Sequence, residues 1–171
     1  MKAAALATAL LALVLAAPLD AQQPAVAPLF VTVAPVTLAP GGRAEAKVTL
    51  EILKDYRIVA PGSEGKYLQP AALSFNAAEG VYVEPAAWPQ GKGWHAEPDG
   101  PPIKIFEGKV ELKVTVHAGA KVAARSLTLQ GRLRYQAVRG DGDFKKAATV
   151  EVQLPITVAA PPAKPAAATR P

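Results

Sequence analysis

Three stretches decide the fold: VELKVTVH at residues 110–117, SLTLQGRLRY at 126–135 and VEVQLPITV at 150–158. In the first, Val110, Leu112, Val114 and Val116 alternate with Glu111, Lys113, Thr115 and His117. In the second, Leu127, Leu129, Leu133 and Tyr135 alternate with Ser126, Thr128, Gln130, Arg132 and Arg134. The third sets Val150, Val152, Leu154, Ile156 and Val158 against Glu151, Gln153 and Thr157. A period of two places one set on a buried face and the other in water, which describes antiparallel strands covered on one side. A helix would need apolar residues three and four apart.

Outward from this core the signal repeats more weakly. Ala44, Ala46, Val48, Leu50 and Ile52 alternate with Glu45, Lys47, Thr49 and Glu51 after a Pro40-Gly41-Gly42 turn. Residues 30–33, 56–59, 72–75 and 80–83 are shorter candidates bounded by Gly, Pro or Asn. The pattern predicts an all-β, immunoglobulin-like antiparallel β-sandwich of about seven to nine short strands over residues 30–158. Pro155 interrupts the last strand, which is therefore expected at an edge or with a bulge. Residues 85–102 (PAAWPQGKGWHAEPDGPP) are too rich in Pro and Gly for a strand and are expected to form a long surface loop.

Residues 1–21 have the layout of a secretory signal peptide. Lys2 precedes an uncharged apolar run to Leu19, and Ala21 is a small residue at the expected cut. The rival reading is an uncleaved anchor, for which the run is short and alanine-rich. Residues 22–29 are then a lead-in linker, and 159–171 (AAPPAKPAAATRP) are an Ala/Pro-rich tail with no side chains able to build a core. The expected location is periplasmic or secreted, with no membrane insertion after cleavage.

Composition restricts the chemistry. The chain has 171 residues, no cysteine and a net charge of +5. The absence of cysteine excludes disulfides, thiolate metal sites and a cysteine nucleophile. The cations are scattered, with Lys145-Lys146 the one adjacent pair, so no nucleic-acid footprint is expected. There is no GxSxG, P-loop, GxGxxG or HExxH, and His95 and His117 alone make no protein metal site. No cofactor is expected. His117 falls on the wet face of its strand, and His95 is expected to pack on the Trp94 ring. Asp141 and Asp143 flank Gly142 in a segment read as a tight hairpin turn rather than a cation loop. The tripeptide Arg139-Gly140-Asp141 matches an adhesion sequence at a length that chance supplies. Trp88 and Trp94 either cover one end of the sandwich or form an aromatic platform for a partner.

Three segments carry a family resemblance. They are Tyr56-Arg57-Ile58-Val59-Ala60-Pro61-Gly62; Gly80-Val81 through Trp88-Pro89, continued by Ile105-Phe106-Glu107-Gly108-Lys109-Val110; and Leu133-Arg134-Tyr135-Gln136-Ala137 with Thr149-Val150-Glu151-Val152. In order and spacing, residues 50–158 resemble the amino-terminal periplasmic domain of DsbD-type thiol:disulfide interchange proteins, also described as a disulfide bond corrector domain. The resemblance implies an immunoglobulin-like sandwich. It implies an activity as well: passing reducing equivalents through two cysteines on the hairpin that follows the Tyr-Gln-Ala segment.

Here the first cysteine position falls on Val138 and the second on Asp143 or Phe144. Thiolate exchange needs sulfur, so that activity is not carried over and no enzyme is expected. The resemblance also implies a hairpin shielded by a loop and recognised by thioredoxin-type partners. The candidate partner-binding residues are accordingly Tyr135, Val138, Asp143 and Phe144, with Trp88 and Trp94 beside them. The expected partner is a thioredoxin-fold or cytochrome-assembly protein of the cell envelope. The competing reading is a structural spacer or adhesion-type sandwich with no redox partner. Exposure of Val138 and Phe144 would favour docking, and their burial would favour the spacer.

Overall fold

A computed structural model describes residues 27–97, 99–140 and 142–160. The signal-peptide reading, most of the lead-in and most of the tail lie outside the described residues. The described residues are all-β, with thirteen strands: β1 Leu29–Val33, β2 Val36–Leu38, β3 Arg43–Ile52, β4 Tyr56–Val59, β5 Ala72–Phe75, β6 Val81–Val83, β7 Lys92–Trp94, β8 Ile103–Phe106, β9 Lys109–Ala118, β10 Arg125–Tyr135, β11 Ala137–Arg139, β12 Asp143–Phe144 and β13 Ala148–Val158. Two four-stranded sheets, ordered β1-β3-β9-β6 and β2-β13-β10-β5, form the immunoglobulin-like sandwich, and a five-stranded sheet, β12-β11-β4-β8-β7, is added to it.

The period-two residues meet where the sequence places them. On β3 and β9, Ala46, Val48 and Leu50 stand opposite Val114, Leu112 and Val110. Leu129 faces Leu154 and Leu133 faces Val150 across β10 and β13. Leu50, Leu112, Leu129, Leu133, Leu154 and Ile156 are fully buried in one core. Each such side chain contributes about 1.5–3 kcal/mol relative to exposure, and this burial holds the body together without a covalent staple. On the wet face, Lys47 and Lys113 are directly opposed. Each turns to a diagonal carboxylate instead: Lys47 to Glu111 at 2.6 Å and Lys113 to Glu45 at 2.8 Å. Those pairs hold the Glu111 carboxyl below its usual range and the Lys113 ammonium above its own. Both are exposed, so they remove a like-charge clash more than they add stability.

The structure corrects several expectations. The strand count exceeds seven to nine because short strands form where composition gave no run to detect. β7 lies inside the segment read as a loop, since Gly91 lets that backbone come so close that a Cβ there would meet the Cβ of Ala60 at 2.7 Å. β13 is not bulged, since it pairs with β10 in continuous register, and it is an edge over Ala148–Pro155 because β2 covers only Ile156–Val158. Pro155 is tolerated there because it faces Thr128 one residue before the β2 pairing begins at Ile156. Its missing N–H therefore costs no ladder bond.

One glycine in β10 is required by packing. A Cβ at Gly131 would lie 2.5 and 2.7 Å from Phe75 ring carbons and 2.7 Å from the Ser74 carbonyl oxygen. Gly131→Ala is expected to destabilise the sandwich by about 1–3 kcal/mol through overpacking, read as a lowered midpoint in urea unfolding at unchanged slope.

Candidate functional site

The site forms where β10 ends. Its alternation stops at Tyr135, and Tyr135, Gln136, Ala137 and Val138 are buried in succession. The reason is a change of sheet. Tyr135 still pairs with Ala148 of β13, whereas Ala137 pairs with Ile58 of β4. Gln136 occupies the single position between, and it is the one buried polar side chain among the described residues, 8% exposed. Its side-chain amide and its carbonyl are matched. Its Oε1 accepts the Gln69 N–H at 2.9 Å, its Nε2 donates to the Lys145 carbonyl at 3.1 Å, and its own carbonyl accepts the Val59 N–H at 3.1 Å. Three segments are thereby tied together: the loop 61–70, strand β4 and the return arm of the hairpin.

The loop 61–70 is anchored at its other end as well. The Ser63 hydroxyl donates to the Lys104 carbonyl at 2.8 Å and accepts the Lys104 N–H at 3.0 Å. Between the two anchors Tyr67 is 79% exposed, with the Lys66 ammonium 5.6 Å from its ring centre.

Hairpin register separates Asp143 from Phe144. Val138 stands opposite Phe144, and Asp143 stands opposite Arg139. Directly opposed residues share a face, so Val138 and Phe144 form a cross-strand pair while Asp143 points the other way. Glycines at both described positions of the tip, Gly140 (φ 56°) and Gly142 (φ 128°), supply the left-handed conformations of the turn. Asp141 lies outside the described residues, and with it the test of the paired-aspartate and adhesion readings. The Asp143 carboxylate takes the Lys145 ammonium as its partner.

Exposure divides the candidate residues. Val138 is 0% exposed and Tyr135 is buried, so neither offers surface, which corrects the expectation that both would. Val138 shares its face of the third sheet with Val59 and Ile105, and these buried residues lie outside the main core cluster that receives Ile58, Phe106 and Ala137. A second small core on a curled sheet explains a fully buried residue on so short a hairpin. Burial also pushes the Tyr135 hydroxyl above its usual pKa. Phe144 is 36% exposed and Asp143 is exposed.

The two tryptophans do not share a platform. Trp88 is half-buried against the main core and stacks on Phe106 at 5.7 Å between ring centres. Trp94 is half-buried in β7, paired with Ile103, under the Arg57 guanidinium at 5.0 Å. Arg57 also donates to the Gly140 carbonyl at 2.9 Å and so fixes the hairpin tip. His95 is exposed and its Nδ1 donates to the Gly100 carbonyl at 2.8 Å, rather than packing on Trp94 as expected. His117 is only partly wet, stacked on Tyr82 and 2.7 Å from a Glu84 carboxylate oxygen.

What the hairpin end offers is a cleft of about 450 Å³ between the loop 61–70, the segment after β7 and the hairpin. Tyr67, Leu68, Pro101, Ile103 and Phe144 line it, with Gln136 at its base and Glu64 and Glu97 also lining it. Among the described residues no three His, Asp or Glu side chains come together as a metal-holding group. The arrangement is suited to binding an apolar group. Sequence reasoning missed Tyr67, Leu68 and Gln136. The only available signal was the phase break at Ala137-Val138, two apolar residues in succession after a strictly alternating strand.

Two outcomes check this geometry. A Val138→Cys/Phe144→Cys double variant is expected to oxidise to a disulfide, since opposed residues lie about 4.5–5.5 Å apart at Cα, within disulfide range. A Val138→Cys/Asp143→Cys variant is expected to keep two free thiols, and thiol titration distinguishes them. Gln136→Leu orphans the Gln69 N–H and the Lys145 carbonyl, with an expected loss of about 1–3 kcal/mol. In hydrogen exchange the Gln69 amide is expected to lose protection before the β10–β13 amides do.

No protein-family model and no curated protein sequence matches this chain. Several solved structures are similar in fold. The reduced N-terminal domain of Neisseria meningitidis DsbD is 11% identical with a TM-score of 0.43, over 64% of this chain and 74% of that one. The N-terminal domain of N. meningitidis DsbD in complex with the N-terminal domain of PilB gives 11% and 0.47, over 78% of this chain and 88% of that chain. The N-terminal periplasmic domain of ScsB from Proteus mirabilis gives 10% and 0.47, over 74% of this chain and 44% of that one.

Proposed function

We propose that the chain is a secreted, redox-inactive protein-binding module of the DsbD N-terminal kind. In this reading it docks a thiol-disulfide reductase or cytochrome-assembly protein of the cell envelope at its hairpin end. The observation that carries the reading is the cleft in which two exposed aromatic rings, Tyr67 and Phe144, flank apolar side chains. Large aromatics left in water around a concave apolar surface are what binding anchors require. The class of partner is drawn from the motif resemblance, in which the hairpin is the part that thioredoxin-type domains recognise. Without cysteine the module can hold such a partner but cannot exchange electrons with it. The envelope location rests on residues 1–21 and on the same resemblance. Among the described residues no helix is long and apolar enough to cross a membrane.

The second reading, a spacer or adhesion-type sandwich with no redox partner, is favoured by one observation. Val138, the position of the first cysteine in the resembled domain, is fully buried and serves as core. The two readings separate in a pull-down from envelope extract with the chain from residue 22 to 171. A thioredoxin-fold protein identified by mass spectrometry is expected on the native chain, with recovery reduced tenfold or more by Phe144→Ala or Tyr67→Ser. Tyr67 is 79% exposed, so Tyr67→Ser is expected to shift stability by no more than about 0.5 kcal/mol. Phe144→Ala also removes the cross-strand pair with Val138 and is expected to cost up to about 1 kcal/mol. Equal recovery of every partner by all three proteins would remove the hairpin end as the binding site and leave the spacer.

A further inference from the structure

The cleft at the hairpin end carries charge as well as apolar surface. Among the described residues, Glu45, Glu79, Glu84, Glu107, Glu111, Asp143 and Glu151 all sit in ion pairs. Five carboxylates among the described residues do not: Glu51 and Asp55 elsewhere on the surface, and Glu64 and Glu97, which line the cleft, with Asp99 beside it in the chain. Among the described residues Lys66 is the one cation lining the cleft, and it lies over the Tyr67 ring. In a chain of net charge +5, three of these five unpaired carboxylates gather at the aromatic cleft against one lysine, and they favour a ligand that is apolar, extended and cationic.

The chain contains such a segment. Residues 159–171 read AAPPAKPAAATRP, with four prolines, Lys164 and Arg170 as charges, and no acid. Proline-rich segments suit aromatic-lined grooves because their rings pack flat on aromatic faces and little chain entropy is lost on docking. Glu64 and Glu97 add a place for the lysine between the prolines.

Geometry decides which molecule the segment reaches. Ala148 faces Tyr135 at the cleft end of β13, and Val158 faces Arg125 at the opposite end. The strand therefore carries the chain about 34 Å away from the cleft. Residues 159–165, even fully extended, cover at most about 25 Å. Their own cleft is out of reach.

We propose that residues 161–165 of one copy dock in the Tyr67–Phe144 cleft of a second copy, with Lys164 directed at Glu64 and Glu97. The contact joins the tail of one copy to the cleft of another, so association closes as a reciprocal exchange or extends head-to-tail, and added salt weakens it. It uses the cleft of the docking reading but requires no other protein, so each fails independently.

Sedimentation velocity of the chain from residue 22 to 171, run from micromolar to millimolar concentration, tests it. The average mass is expected to rise with concentration. Tyr67→Ser and Lys164→Glu are each expected to abolish the rise while leaving the unfolding midpoint unchanged. A monomer at every concentration, or association surviving either substitution, overturns the proposal. A synthetic AAPPAKPAAATRP peptide titrated into the same chain gives a second reading by amide NMR. Shifts confined to the surroundings of Tyr67, Ile103 and Phe144 are expected, and no shifts, or shifts elsewhere, overturn it.

Discussion

Between Tyr135 and Ala137 the chain passes from the sheet it forms with β13 to the sheet it forms with β4, and Gln136 supplies the polar groups that this transfer leaves unmatched. A strand that changes sheets cannot keep its ladder through the junction. The backbone groups of the neighbouring segments need another partner or must reach water. Gln136 has both a donor and an acceptor on a planar amide, so one buried side chain satisfies the Gln69 N–H and the Lys145 carbonyl together. From this follow the position of the loop 61–70, the start of the hairpin and the shape of the cleft between them. Because the amide is buried, losing it would leave its partners unpaired in a low-dielectric site, which is costlier than losing the same bonds at the surface.

The sandwich beneath is held by a different principle. Its core is built from Val, Leu and Ile at alternating positions of β3, β9, β10 and β13, and no cross-link is available to a chain without cysteine. Where two sheets share many such rows, register is fixed because a slip of one residue would turn every apolar side chain to water. The ion pairs on the outer faces accommodate that register more than they set it. Lys47 and Lys113 show this, placed opposite each other by the core and reaching diagonally for acids.

Legibility differed between body and site for physical reasons. The long strands were readable because burial on one face writes a period of two into the sequence. Residues 92–94 and 103–106 were not readable as strands, since three or four residues beside Gly and Pro carry too little pattern. Gln136 was hidden by the pattern itself. In phase with Arg132 and Arg134, it reads as another exposed polar position, although the change of sheet makes it buried. Tyr67 gave no sign, because a lone aromatic in a polar loop does not reveal whether it packs inward or stands in water. The hairpin, by contrast, was legible from its glycines, and what was left open was whether the second cysteine position of the resemblance falls on Asp143 or Phe144.

The sequence by itself determined an all-β body, the alternating core and the impossibility of thiol chemistry, because these depend on residue type and local period alone. Only the tertiary structure decided that Val138 is core while Phe144 opposite it reaches solvent, and that Trp88 and Trp94 lie in separate surroundings. The same holds for a loop seventy residues upstream in the chain, which meets the hairpin to form a cleft. These depend on which distant segments face one another. That information resides in the packing of the sheets and is not written in the neighbourhood of any one residue.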